Sequence, residues 1–221
     1  MKIRVKGILF DMDGVLVSSI GSVERSWTKW ALMHGLDPVY AIENAHGRRS
    51  IDSVRALRPD LDAEAENDLI EDWEVEDTEG VEELAGVKDL IGRLPDGTWA
   101  IVTSATKRLA EARLGAAGIV PPAKWITADQ VVNGKPDPEP YRKGAELLGF
   151  APENCLVVED AVSGATAGRA AGCKVLATTF SHSIESLIAA DWIVDSLDQV
   201  KVEVLPNGEW LELEFQPLPR P

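Results

Sequence analysis

Thiols are nearly absent from this chain: Cys155 and Cys173 are the only two in 221 residues. Each adjoins an apolar run and their spacing fits no zinc or redox pattern. That speaks against a disulfide scaffold or a thiolate metal site, and buried, reduced cysteines are expected. Histidine is almost as scarce, and His34 and His182 show no partner for a nucleophilic triad, so both are read as structural. No apolar run approaches the ~18–20 residues of a membrane span. The opening Met1-Lys2-Ile3-Arg4-Val5-Lys6 has neither the apolar stretch nor the small-residue cleavage site of a secretory signal. A cytoplasmic protein with no membrane partner is expected. Positive charge is also in short supply, with 22 Lys and Arg against 37 Asp and Glu and a net charge of −15. Nucleic acid and anionic membranes would be repelled. A small anionic ligand stays compatible if its site is locally positive. From Pro59 to Val87 every charged residue is acidic, which reads as a solvated helical face.

The chain is nonetheless 45% hydrophobic, enough for an ordinary core, and its length suits one large domain or a main domain with an insertion. The apolar run of residues 7–10 predicts a strand covered on both faces. Ile20, Val23, Trp27, Trp30 and Ala31 fall at helical spacing after Ser18-Ser19, with Gly35 as a stop. Ile51, Val54 and Leu57 mark a second helix ended by Pro59, and Leu61, Ala65, Leu69 and Trp73 a third. No strand is predicted across 18–85. Leu84, Val87, Leu90, Ile91 and Leu94 form a helix that stops at Pro95-Asp96-Gly97. Strands over 99–103, 125–127, 155–158, 175–178 and 192–194 then alternate with helices over 107–117, 139–148, 163–171 and 184–190. Such alternation predicts an α/β fold, a Rossmann-like doubly wound parallel sheet. The core comprises residues 1–17 and 86–221, and 18–85 is an inserted all-helical unit. Val202 and Val204, then Leu211, Leu213 and Phe215, alternate with charges around Pro206-Asn207-Gly208-Glu209. They predict an antiparallel hairpin over 201–215 that covers a sheet edge.

Three of the apolar runs end in residues suited to phosphate or metal chemistry. Ile8-Leu9-Phe10 leads into Asp11-Met12-Asp13-Gly14, Trp99 to Thr103 into Ser104, and Leu156-Val157-Val158 into Glu159-Asp160. In a parallel sheet these ends open on one crevice. Asp11 and Asp13, two apart in extended chain, can address one substrate atom, and Gly14 lets the backbone turn its N–H groups to an anion. If Glu159-Asp160 lies on a neighbouring strand, each like-charge pair at ~4 Å costs about 4 kcal/mol at an effective dielectric of ~20. Such a cluster calls for a cation, and hard oxygen ligands without clustered histidine or thiolate point to Mg²⁺. Ser104, before the helix opening near Lys107, is either a helix cap or part of an anion site. Lys135, held between Gly134 and Pro136, can supply the positive charge a phosphate requires.

Asp11-Met12-Asp13-Gly14-Val15-Leu16, Ser104, Gly134-Lys135-Pro136 and Val157-Val158-Glu159-Asp160 together resemble the four-motif signature of the haloacid-dehalogenase-like hydrolases, and the helical insertion resembles that family's mobile cap. His46-Gly47-Arg48-Arg49 and the stretches around Ser104 and Glu159-Asp160-Ala161 are similar to bacterial sugar phosphatases related to glycerol-3-phosphate and 2-deoxyglucose-6-phosphate phosphatases. The resemblance implies a Mg²⁺-dependent phosphatase of small phosphorylated sugars or polyols. Asp11 would be the nucleophile and Asp13 the acid and base. Asp11, the Asp13 carbonyl and Asp160 would hold the metal, with Glu159 beside it. Ser104, the Ala105 N–H and Lys135 would bind the phosphoryl oxygens. The cap loop His46-Gly47-Arg48-Arg49 would meet the leaving group through Arg49, or Arg48 if the register shifts by one, with Lys107 near the mouth. Trp27 and Trp30 are read as cap core rather than sugar-stacking faces. Two positions depart from the pattern. Val15 stands where threonine is common, though β-phosphoglucomutases also carry valine there, and Ser18 replaces a frequent aspartate. A β-phosphoglucomutase-type mutase is therefore the alternative. A non-catalytic phosphosugar-binding protein ranks below it, because Asp11, Asp13, Lys135 and Asp160 are all present.

Overall fold

The structure is a computed structural model and describes residues 1–206 and 208–220. The chain opens with strands β1 (Lys2–Val5) and β2 (Gly7–Phe10). It leaves through β3 (Val17–Ser18), passes through α1 (Ile20–Met33), α2 (Pro38–Ala45), α3 (Ser50–Leu57) and α4 (Ala63–Glu76), and returns through β4 (Glu82–Glu83). Next come α5 (Val87–Ile91), β5 (Trp99–Val102), α6 (Lys107–Ala116), β6 (Trp125–Ile126), α7 (Glu139–Leu148), β7 (Cys155–Glu159), α8 (Val162–Ala171), β8 (Lys174–Thr178) and β9 (Trp192–Val194). The last elements are β10 (Lys201–Val204) and β11 (Leu211–Glu214). Six strands pair in parallel in the order β6-β5-β2-β7-β8-β9, an α/β doubly wound sheet.

The short apolar runs become strands because both of their faces are covered. Ile8 and Phe10 pack with Leu90, Leu109 and Leu114 of α5 and α6, while Leu9 packs on the opposite face with Tyr141, Ala145 and Ala165 of α7 and α8. No position in such a strand meets water, so no polar residue interrupts it. Cys155 and Cys173 are buried free thiols in this second layer, and burial pushes them up to about 11 and about 12. Helices α1 to α4 gather round an apolar cluster of their own, centred on Trp27, Trp30, Val54 and Ile70. Trp30 donates its indole N–H to Glu66 at 2.7 Å, which satisfies the one polar atom of a fully buried ring.

Several elements differ from the sequence expectation. Helix α2 was not expected, although Pro38 at its start and the Asp37 carboxylate accepting from Val39 and Tyr40 N–H form a standard helix entry. Val39 and Tyr40 are exposed, so the apolar spacing failed to mark it. The stretch over 18–85 is not wholly helical: β3 and β4 pair antiparallel where the chain departs and returns. Residues 184–190 form successive turns instead of a helix, with Ser186 N–H bonded to Ser183 O and Ala190 N–H to Leu187 O. The hairpin of β10 and β11 is present, and β1 adds to it to make a three-stranded antiparallel sheet. Lys2-Ile3-Arg4-Val5 alternates charge and aliphatic as such a strand should. Leu218 N–H bonds Ile193 O at 2.8 Å, so the tail continues along the β9 edge. Of the expected turn, Asn207 lies outside the described residues. Among the described residues no helix is long and apolar enough to cross a membrane.

Candidate active site

Strand β2 lies between β5 and β7, with Phe10 in register with Ile101 on one side and Val158 on the other. Asp11, Thr103-Ser104 and Glu159-Asp160 therefore emerge side by side at one end of the sheet. Asp11 N–H continues the ladder to Val158 O at 2.9 Å. Oxygens of Asp11, Glu159 and Asp160 all lie within 4.8 Å of one another, and all three residues are buried. Lys135 enters from the loop before α7, where its peptide bond to Pro136 is cis. Its Nζ donates to Asp11 Oδ1 and Glu159 Oε1, each at 2.7 Å.

The charges do not cancel: three carboxylates face one ammonium. Burial, then the Glu159 charge, raises Asp11 to about 7 against the pull of Lys135. Burial, then Glu159 and Asp11, lifts Asp160 well above the usual carboxylate range. Burial works against the Lys135 ammonium, but Asp11 and Glu159 outweigh it and its pKa rises. An all-oxygen donor set with surplus negative charge fits a divalent cation, and this buried cluster could hold one. Glu159 is already well occupied. Its Oε1 also accepts from Tyr141 OH at 2.6 Å, and its Oε2 accepts from the Asp160 and Ala161 N–H groups.

Two glycines permit this packing. A Cβ on Gly14, whose φ is +77°, would sit 1.9 Å from Asp160 Oδ2, and one on Gly164 would sit 1.6 Å from Glu159 Oε1. The expectation for Gly14 was a turn presenting N–H groups. Here its N–H bonds Val17 O, and what it contributes is room for the Asp160 carboxylate. The Ala105 N–H is likewise engaged, by Thr103 Oγ1 at 3.0 Å, while Ser104 Oγ reaches Gly47 O at 3.4 Å.

Above the carboxylates lies a cavity, partly open to solvent, walled by α1 to α4, α6 and the loops that face them. Asp11, Asp13, Gly14, Ser104, Ala105 and Asp160 line its floor, and His46, Gly47 and Arg48 its roof. Gly47 is pressed against the core. A Cβ there would lie 2.6 Å from both Ala161 Cβ and Ser163 Oγ, and Gly47 O accepts from Ser163 Oγ at 2.8 Å. Arg49, expected to face the substrate, is not among the residues that line this cavity. Its Nε donates to Asp52 at 2.7 Å and its Nη1 to Val131 O at 3.1 Å, and its side chain packs against Gly134. Lys107 also falls outside the cavity. Its N–H is bonded to Asp129 Oδ2 and its Nζ lies 3.8 Å from Glu111, on a separate groove between α4 and α6. Trp27 lines the cavity, whereas Trp30 stays within the helical cluster.

The sequence reading passed over two lining residues, Glu74 on α4 and Arg113 on α6. Both carried a signal: each is a charge on an apolar stripe, Arg113 with Leu109, Ala110 and Leu114, and Glu74 with Ile70. Burial outweighs the pull of Arg113 and raises Glu74 to about 7. Among the described residues, the buried side-chain polar atoms without a partner are Asp13 Oδ1, His46 Nε2 and Arg113 Nε. All three belong to residues that line this one cavity. Buried polar groups are nearly always bonded, and three exceptions around one space make it the candidate ligand site.

With that geometry in place, the class of protein is settled by comparison. The chain matches the haloacid dehalogenase-like hydrolase family over residues 5–172 and belongs to it. It is 42% identical to hexitol phosphatase A of Escherichia coli strain K12, over 93% of this chain and 98% of that one. It is 33% identical to glycerol-1-phosphate phosphohydrolase 2 of Saccharomyces cerevisiae, over 97% of this chain and 91% of that one. The crystal structure of CbbY from Rhodobacter sphaeroides in complex with phosphate shares the fold at a TM-score of 0.77 and 22% identity, covering 88% of this chain and 96% of that one.

Proposed function

We propose that the protein is a Mg²⁺-dependent phosphatase that hydrolyses monophosphate esters of small sugars or polyols. Residues 18–85 serve as the cap over a core of 1–17 and 86–221. The observation that carries this reading is the meeting of Asp11, Lys135 and Asp160 at one sheet end, beneath a cavity whose remaining wall offers unpartnered polar atoms. The unpartnered polar atoms of Asp13 and His46 suit a hydroxylated leaving group better than an apolar one.

Asp11 attacks phosphorus. An Asp11 O–P bond forms as the P–O bond to the leaving alcohol breaks, and Asp13 gives that oxygen its proton. Asp13 then takes a proton from water, the water oxygen bonds phosphorus, and the Asp11 O–P bond breaks to release inorganic phosphate. Lys135 fixes the Asp11 carboxylate through Oδ1 and adds positive charge beside it, where Ser104 lines the space for the phosphoryl oxygens and the Ala105 N–H would join it on leaving Thr103 Oγ1. Mg²⁺, held by Asp11, Asp160 and the Asp13 carbonyl, would neutralise phosphoryl charge. Glu159 stands behind, orienting Lys135 and tying down the Asp160 loop.

A mutase would use the same two aspartates, but the relatives compared above carry phosphatase and phosphohydrolase names, which favours hydrolysis. The test is a phosphate-release screen over sugar and polyol phosphates, with and without Mg²⁺, beside Asp11→Asn. Metal-dependent release that vanishes in the variant is expected. Release undiminished in Asp11→Asn, or isomer formation without release, would overturn the reading.

A further inference from the structure

Glu74 and Arg113 are 2% and 4% exposed, as deeply buried as the core that surrounds them. Burying an ion costs several kcal/mol even after relaxation, so each such charge needs a reason. Arg113 spans two carboxylates from different parts of the chain. Its Nη1 donates to Asp13 Oδ2 at 2.9 Å, and its Nη2 lies 3.2 Å from Glu74 Oε2. Holding α4 against α6 would not require this, because Arg108 already meets Asp72 between the same two helices at 2.6 Å, in solvent and at little desolvation cost. What the buried trio adds is a grip on Asp13.

We infer that Arg113 is a positioning residue for Asp13 and that Glu74 is the strut that holds Arg113 in place, so that the seating of α4 on the core sets the aim of the proton donor. The inference rests on the acid and base role proposed for Asp13. Because Arg113 Nη1 donates to Oδ2, that oxygen is held as an acceptor whether Asp13 is ionised or protonated. The proton to be delivered then resides on Oδ1, the oxygen that is buried, unpartnered and part of a residue lining the cavity. Arginine is required because its planar fork serves two carboxylates at a fixed angle, which a lysine ammonium cannot do.

The test separates leaving groups that need a proton from those that do not. Single-turnover release of the leaving group isolates the first bond cleavage from the later attack by water. It is measured for the polyol monophosphate turned over fastest in the screen and for p-nitrophenyl phosphate, whose phenoxide departs unprotonated. For Arg113→Lys and for the double variant Glu74→Gln/Arg113→Met, the polyol ester should slow by ~100-fold or more and the aryl ester by less than ~5-fold. The double variant removes both of the deeply buried charges at positions 74 and 113, so neither is left facing a lost partner, and circular dichroism and thermal melting verify its fold. Equal losses on both esters, or retention of both, overturn the inference while leaving the phosphatase reading standing. A wild-type protein that releases neither leaving group overturns both.

Discussion

Replacing Lys135 with methionine removes the cation that bonds Asp11 and Glu159 while keeping most of its apolar volume. At 2.7 Å and an effective dielectric of ~20, each contact is worth roughly 6 kcal/mol of Coulomb energy, most of it offset by desolvation of the ammonium. Breaking a buried pair from one side leaves the other charge uncompensated, and the expected net loss is about 3–5 kcal/mol. That loss depends on pH with a definite sign. Asp11 already titrates at about 7 in the fold, raised by burial and by Glu159, and removing Lys135 raises it further. An acid whose folded pKa exceeds its unfolded value contributes stability below the unfolded value and loses it as pH climbs through the folded one. The deficit of Lys135→Met should therefore be small near about pH 5, where Asp11 is protonated in both proteins, and larger at about pH 8, above the wild-type Asp11 value. Urea denaturation in chelator at both pH values measures it. A loss below ~1 kcal/mol, or the same loss at both pH values, would refute the picture of Lys135 as counter-charge to a buried carboxylate cluster.

Gly164→Ala sets helix propensity against packing. Alanine in a helix interior normally gains about 1 kcal/mol over glycine, but here its methyl would collide with Glu159 Oε1, and a net loss of about 1–3 kcal/mol is expected from thermal melts. A stabilised variant would show that Glu159 can move freely. Arg48→Ala should lower kcat/KM on polyol phosphates by ~10-fold or more, since Arg48 lines the cavity, and Arg49→Ala by clearly less, since Arg49 is bound to Asp52 and Val131 O. The reverse order would make Arg49 the substrate-facing residue. Mg²⁺ at 100 times its dissociation constant should stabilise the wild-type protein by about 2.7 kcal/mol and leave Asp160→Asn nearly unaffected, as read by thermal melting. The same shift in both proteins would remove Asp160 from the metal site.

Much of the site was legible because its residues sit where buried strands stop. An apolar run that ends abruptly in Asp11, Ser104 or Glu159-Asp160 announces both the strand and the polar crevice beyond it. Glu74 and Arg113 were legible in principle, as charges on the apolar faces of α4 and α6, but each falls in a charge-rich stretch where one more acid or base draws no notice. Arg48 and Arg49 could not be told apart from sequence. Which one faces the cavity depends on the φ of +70° at Gly47 and on the seating of that loop against Ala161 and Ser163. The two-residue pairing of β3 with β4 and the turns over 184–190 are set by contacts distant in sequence, so local spacing carried no sign of them.

The sequence by itself determined the parallel α/β sheet, the helical insertion after its first strand, the acids at the strand ends and the lysine of the loop before α7. These follow from local periodicity and from the cost of burying polar residues within a strand. The tertiary structure alone decided that Glu159 is committed to Lys135 and Tyr141, that Arg48 and not Arg49 faces the cavity, and that Arg113 bridges Asp13 to Glu74. Such partnerships join residues up to 100 positions apart, and only the packing of one element on another brings those atoms within hydrogen-bond distance.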